Sequence, residues 1–204
     1  MNKAIHGAVR RDLTRFLDAL DSFRDGDRRR AEQLATAWAN FDDQLTRHHQ
    51  GEHEIAWPAL EAVGVGRELI AQMDQEHDRL AEVLATARGA LAALRSSGSA
   101  ADAAAAREAV ARVEMVAVEH LDHEEAEIEP IYLAKRDDPA IKAMGRQFGR
   151  VSPPIAGTFF AWVTDGATRE EIAAIKENIP GPILAIINGV FGRKYRREIA
   201  PVWR

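Results

Sequence analysis

The chain contains no cysteine. Disulfides, thiolate-held Fe–S clusters, cysteine nucleophiles and covalently attached c-type haem are therefore excluded as sources of function. Aromatic residues are scarce at 6%, while alanine is by far the commonest residue, a balance that favours helices over strands. Basic charge is also short: 27 Lys and Arg against 32 Asp and Glu give a net charge of −5. Without a basic stripe, nucleic acid is not an expected partner. Long apolar runs are missing. The most apolar stretch, Ile179 to Phe191, is too short to span a bilayer and contains Pro and Gly. The first ten residues are charged and lack the apolar segment of a signal peptide. The expectation is a soluble, cytoplasmic, helical protein, with no membrane partner. Its 204 residues suffice for one domain with a sizeable core, or for a domain with a helical appendage.

Apolar residues recur at helical spacing along four long segments. The first, about Lys3 to Arg24, carries Val9, Leu13, Phe16 and Leu20, with His6 on the same face. The second, about Arg28 to Val63, carries Leu34, Trp38, Phe41, Leu45, His48, Glu52 and Ile55. Alternating steps of three and four keep that stripe facing a partner helix. The third, to about Arg95, reads Ile70, Met73, His77, Leu80, Leu84, Ala87 and Leu91. The fourth opens near Asp102, a candidate N-cap, and reads Ala106, Val110, Val113, Ala117, His120, Glu124, Glu127 and Ile131. Asp25-Gly26-Asp27, Gly64-Val65-Gly66 and Ser96-Ser97-Gly98-Ser99 supply the turns. Short turns between long helices predict an all-α, up-down-up-down four-helix bundle over residues 1–135.

Imidazoles and carboxylates interrupt these apolar stripes, and burying them is costly unless they are paired or bound to a metal. His6 precedes the first turn by about as many residues as His48 follows it. The same symmetry relates Glu52 and His77 about the second turn, and His77 and His120 about the third. At ~1.5 Å of rise per residue, all four helices therefore present a ligand-type side chain at one height. An internal repeat reinforces this. His6 to His48 is 42 residues and His77 to His120 is 43, each second histidine opens an H-x-x-x-E motif, and each glutamate is followed six residues on by Pro58 or Pro130. A histidine and a carboxylate four apart share a helix face and can reach a common metal pair. Two bridging glutamates would neutralise charge and imidazoles would fill terminal positions. This nitrogen and oxygen donor set suits iron or manganese, with zinc an alternative, and fits magnesium or calcium poorly. Any one of these histidines alone would be read as a satisfied core or surface residue; their coincidence in height, face and repeat points to metal.

HHQGEHEIAWPAL, HLDHEEAEIEP, the lone His6 and the segment Gln75 to His77 resemble the hemerythrin-like, or HHE cation-binding, family over roughly residues 1 to 135. The resemblance implies a non-haem centre of two iron ions with an oxo or hydroxo bridge and His6, His48, Glu52, His77, His120 and Glu124 as ligands. Oxygen-carrying members have a further histidine one turn before the helix-three ligand, where this chain has Met73, and a fourth-helix spacing of five rather than four. With one imidazole fewer, the resemblance points to members that handle peroxide, nitric oxide or iron. Small molecules (peroxide, nitric oxide, O2) are thus the expected ligands. Reversible O2 binding, iron storage or repair, and redox or oxygen sensing are the alternatives.

Other residues have weaker claims. His49, about 100° from the seam, is read as a surface residue or as an additional ligand or proton shuttle, and His123 as surface. Glu127, three residues after Glu124, is a candidate ligand or outer hydrogen-bond partner. Tyr132 is a candidate proton source at the same end, and Met73 is core packing that shapes the pocket. After Asp138 the pattern changes, and residues 136–204 are expected as a helical extension packed on the bundle. Its candidate helices are Ala140 to Phe148, Pro154 to Val163, Arg169 to Asn178 and Pro182 to Arg197, with a capping box at Thr168 to Glu171. A homodimer through these helices is the expected contact. A membrane-surface role for the last one, where Arg193, Lys194, Arg196 and Arg197 lie beside Ile and Phe, is the lesser alternative.

Overall fold

The computed structural model describes residues 1–204, and every regular element in it is helical. Helix α1 spans Asn2–Asp21, α2 Arg28–Gly51, α4 Arg67–Ser97 and α5 Ala100–Glu127. Side chains pair along them in a consistent sense. On α1 and α5, His6 meets Glu125, Arg10 meets Asp122, and Asp21 meets Arg107. On α2 and α4, Glu32 meets Arg95 and Asp42 meets Arg88. Phe16 of α1 lies edge-on to Trp38 and Phe41 of α2. The apolar stripes anticipated for α1 and α4 are buried as spaced, from Val9 to Leu20 and from Ile70 to Leu91, with His77 half-buried among the latter.

Three local readings are corrected. Helix α5 is capped by Ser99, whose hydroxyl accepts from the Asp102 N–H, so Asp102 lies inside the first turn rather than at the cap. Preceding it, Gly98 takes a left-handed conformation (φ +67°) at the end of α4, which a side chain would resist. More consequential is the helix after Gly51. Proline 58 lacks the N–H that the Glu54 carbonyl would otherwise accept, and its ring crowds that carbonyl. The backbone widens into a π turn over Glu52–Ala56 before α3 resumes at Trp57–Ala62. The extra residue rotates the stripe, so Ala56, Trp57 and Leu60 are buried and Ile55 is not. Pro130 acts likewise on α5. That helix stops at Glu127, Ile128 takes the buried place, and a short α6 follows over Glu129–Ala134.

The last third comprises α7 (Pro139–Phe148), α8 (Pro153–Thr164), α9 (Arg169–Asn178), α10 (Gly181–Ile186) and α11 (Arg193–Glu198), with a π turn at Ile187–Phe191 and a 3-10 turn at Ala200–Trp203. The helix expected over Pro182 to Arg197 is thus broken in the middle. Thr168 and Glu171 form the expected capping box. Helices α8 and α9 pack on α1, while α7 packs on α3 and the π turn before it. The Trp162 indole donates to buried Asp12 (2.8 Å), Trp203 lies edge-on to Phe16, and Phe160, Val163, Ile175 and Tyr195 join the same core. At Gly157 the backbone of Phe191 passes so close that a Cβ would collide with it.

Candidate metal centre

The buried apolar side chains form two separate clusters, a large one and a small one of Ala56, Trp57, Leu60, Ile70, Met73 and Ile128. The polar stripe residues lie where α1, α2, α4 and α5 pass from one to the other. His6, Glu52, His120 and Glu124 are buried, and the His48 and His77 side chains are nearly so. Their inward atoms converge. His6 Nε2 is 3.0 Å from Glu124 Oε2 and 3.4 Å from His48 Nε2, and His48 Nε2 is 3.3 Å from Glu52 Oε1. On the other side His77 Nε2 is 3.5 Å from Glu52 Oε2 and 3.1 Å from His120 Nε2.

These atoms fall into two groups, each with its donor atoms within 4.8 Å of one another: His6, His48, Glu52 and Glu124; and His49, Glu52, His77 and His120. Glu52 belongs to both. His49 joins the second group, its ring stacked on His77 at 4.1 Å. Neighbours 100° apart on one helix thus turn to opposite sides of Glu52. Glu127 is exposed and belongs to neither group; the Glu124-to-Ile128 step of four carries the buried face past it. Met73 is fully buried in the small cluster, and Tyr132 packs against that cluster.

Two carboxylates escaped the sequence reading. Glu125 faces His6 Nδ1 at 2.8 Å and accepts from Arg10 at 2.7 Å. Glu76 faces His120 Nδ1 at 3.0 Å and His123 Nδ1 at 2.8 Å. In the neutral imidazole a carboxylate opposite Nδ1 places the proton there, which directs the Nε2 lone pair of His6 and of His120 into the centre. Nothing in the apolar periodicity marks either residue. The available signals were their positions beside ligand-type residues, Glu125 after Glu124 and Glu76 before His77.

Electrostatics separate the donors. Burial, reinforced by neighbouring imidazoles, pulls His48 down to about 3, His77 to about 4 and His49 well below its ordinary value, so all three are neutral donors at pH 7. Burial and the nearby Glu124 push Glu52 well above the usual carboxylate range. Burial opposes charge on Glu124 too, but its bond to His6 outweighs this and holds it low. His6 is likewise raised, burial being outweighed by Glu124 and Glu125. Burial, then the charges of Glu124 and Glu52, raises the Tyr132 phenol and keeps it protonated.

Within this cluster the Glu52 Oε2 and His49 Nε2 atoms are buried without a hydrogen-bond partner, and Glu124 Oε2 faces only the His6 imidazole at 3.0 Å. Buried polar atoms are rarely left so. Such atoms, flanked by further imidazoles and carboxylates, are what a cation between the helices would satisfy. The fold and site together define a helical bundle with a histidine and carboxylate cluster suited to metal. The Hemerythrin HHE cation binding domain profile matches residues 3–132, and the chain belongs to that family. No curated protein and no solved structure matches it.

Proposed function

We propose that the chain holds two iron ions in an up-down-up-down bundle of α1, α2, α4 and α5, and that the centre reacts with small oxidants (peroxide, nitric oxide or O2). The observation that carries this is Glu52, a member of both donor groups. A single carboxylate between two ligand sets is the arrangement a metal pair needs, whereas one ion would leave one set orphaned. His6, His48, Glu52 and Glu124 would hold one ion, and His49, His77, His120 and Glu52 the other. Bound there, an iron pair supplies electrons to, or takes them from, a small molecule at an open coordination position.

The protein's own part is to orient the donors and to hold His48, His49 and His77 neutral. Glu125 and Glu76 fix the tautomers of His6 and His120, while Trp57, stacked 5.8 Å from His77 and donating to Asp74 at 2.8 Å, restrains that ring. Tyr132 holds a proton beside the carboxylates, available to a reduced oxygen species. Cytoplasmic location belongs to the same proposal. Reversible O2 binding is the second reading, and His49 favours it: the imidazole missing at Met73 is replaced from α2, restoring five to the set.

Metal analysis after expression in iron-replete medium is expected to return close to two irons per chain, and an iron-free protein would sink the proposal. Rapid mixing of the reduced iron form with peroxide, nitric oxide or O2 then separates the readings. Turnover consumes peroxide or nitric oxide, whereas a carrier returns its original spectrum when O2 is removed.

A further inference from the structure

Charge is divided unevenly along the chain. Residues 139–204 carry ten Lys and Arg against five Asp and Glu, so this third is +5 while the first 138 residues are −10. Exposed apolar side chains are divided unevenly as well. Of the large apolar side chains the bundle exposes only Met115 and Leu133, whereas the extension exposes Phe148, Val151, Ile155, Ile183, Ile186, Val190 and Phe191. On the last helical stretch the two properties lie end to end. Ile183, Ile186 and Val190 are exposed on α10 and the π turn after it, and Arg193, Lys194 and Arg197 are exposed on α11, so the exposed stripe runs from apolar to basic. Leu184, Tyr195 and Ile199 hold the opposite face in the core, so the stripe points outward as a consequence of packing.

We propose that this stripe docks on an anionic lipid surface, Ile183, Ile186 and Val190 entering the acyl boundary and Arg193, Lys194 and Arg197 engaging the headgroups. Three occupants compete for such a face, and the charge distribution separates them. A second copy's extension offers apolar complement but repels, +5 against +5. A second copy's bundle offers negative charge but almost no large exposed apolar side chain. A bilayer with acidic headgroups offers both. No helix of the protein is long and apolar enough to cross a membrane, so it would lie in the interface with its apolar face inserted. The dimer expected through these helices is therefore the less favoured partner of this face. The inference does not depend on iron, because none of these residues touches the metal cluster.

The test is sedimentation of the full chain, iron-loaded and iron-free, with phosphatidylcholine vesicles containing or lacking phosphatidylglycerol. The expected result is binding only to the anionic vesicles, equal for both metal states and lost in molar salt. Each basic residue near such a surface strengthens binding about fivefold, so the triple variant Arg193→Ala, Lys194→Ala, Arg197→Ala should bind about a hundredfold more weakly. Ile186→Ser should also reduce binding with helicity unchanged by circular dichroism. Absence of binding overturns the proposal, as does equal binding to neutral vesicles. So does a light-scattering dimer that Ile186→Ser dissociates, which would assign the face to a second copy.

Discussion

The two donor groups of the centre share Glu52 but differ in what else they bring. One adds Glu124 and two imidazoles; the other adds three imidazoles and no further carboxylate. Their outer supports differ in parallel. His6 is held by Glu125, which Arg10 meets at 2.7 Å, while His120 is held by Glu76, whose other partners are the half-exposed His123 at 2.8 Å and the more distant Arg79 at 3.8 Å. A pseudo-twofold sequence repeat has thus produced an electronically lopsided pair. With iron bound, the carboxylate-richer group would favour the more oxidised ion and the imidazole-richer group the ferrous one. The difference teaches that the repeat sets position, while the residues beside each motif set character.

Removing the shared residue should abolish the comparison altogether. Glu52→Gln is expected to reduce iron content from two per chain to near zero, measured by elemental analysis of folded protein; retention of both ions would show that Glu52 does not bridge the groups. Next in size, His120→Ala should lose iron far more severely than His123→Ala, and equal retention would remove the register assigned to α5. His49→Ala should sharpen the contrast by emptying the imidazole-rich position preferentially, leaving about one iron per chain.

Smaller effects are expected from the supports. Glu76→Ala and Glu125→Ala should each weaken iron affinity about 10–100-fold, as losses of outer hydrogen-bond partners commonly do, read by competition with a chelator. The smallest effect on the centre should come from Asp12, which faces the extension instead. Burial pushes its carboxyl above the ordinary value despite Trp162 and Arg15. Because the folded pKa is raised, the wild-type chain should lose stability relative to Asp12→Asn as pH rises from the ordinary carboxylate value through the folded one, with iron content unchanged. Urea unfolding of both proteins across that window measures it.

Much of this was legible in the residue pattern, and the exceptions have physical causes. Apolar steps of three and four located α1, α2, α4 and α5 because each buries one stripe. The height symmetry of His6, His48, His77 and His120 about the turns anticipated their convergence because helical rise is constant. Past position 52 the reading slipped by one residue, since a propensity scale has no term for the carbonyl that Pro58 leaves without a donor. Glu127 was read as inward because strict alternation was carried one turn too far. His49 stood off the seam, and its recruitment depends on side-chain reach across the bundle. Glu76 and Glu125 look like any surface glutamate until the Nδ1 atoms opposite them are seen.

The cluster of donors also partitions the interior. On one side lies the large core; on the other, a small cluster of Ala56, Trp57, Leu60, Ile70, Met73 and Ile128, with Leu69, Ile131, Tyr132 and Met144 partly buried against it. That is a small anchor for the ends of three helices, so a bound cation would double as a rivet for that end of the molecule. Amide protons of α3 and of the α5–α6 junction should then exchange by local opening when iron is absent and only with global unfolding when it is bound. Iron availability in the surroundings would be written into the mobility of one end of the bundle, while the other end stays unchanged.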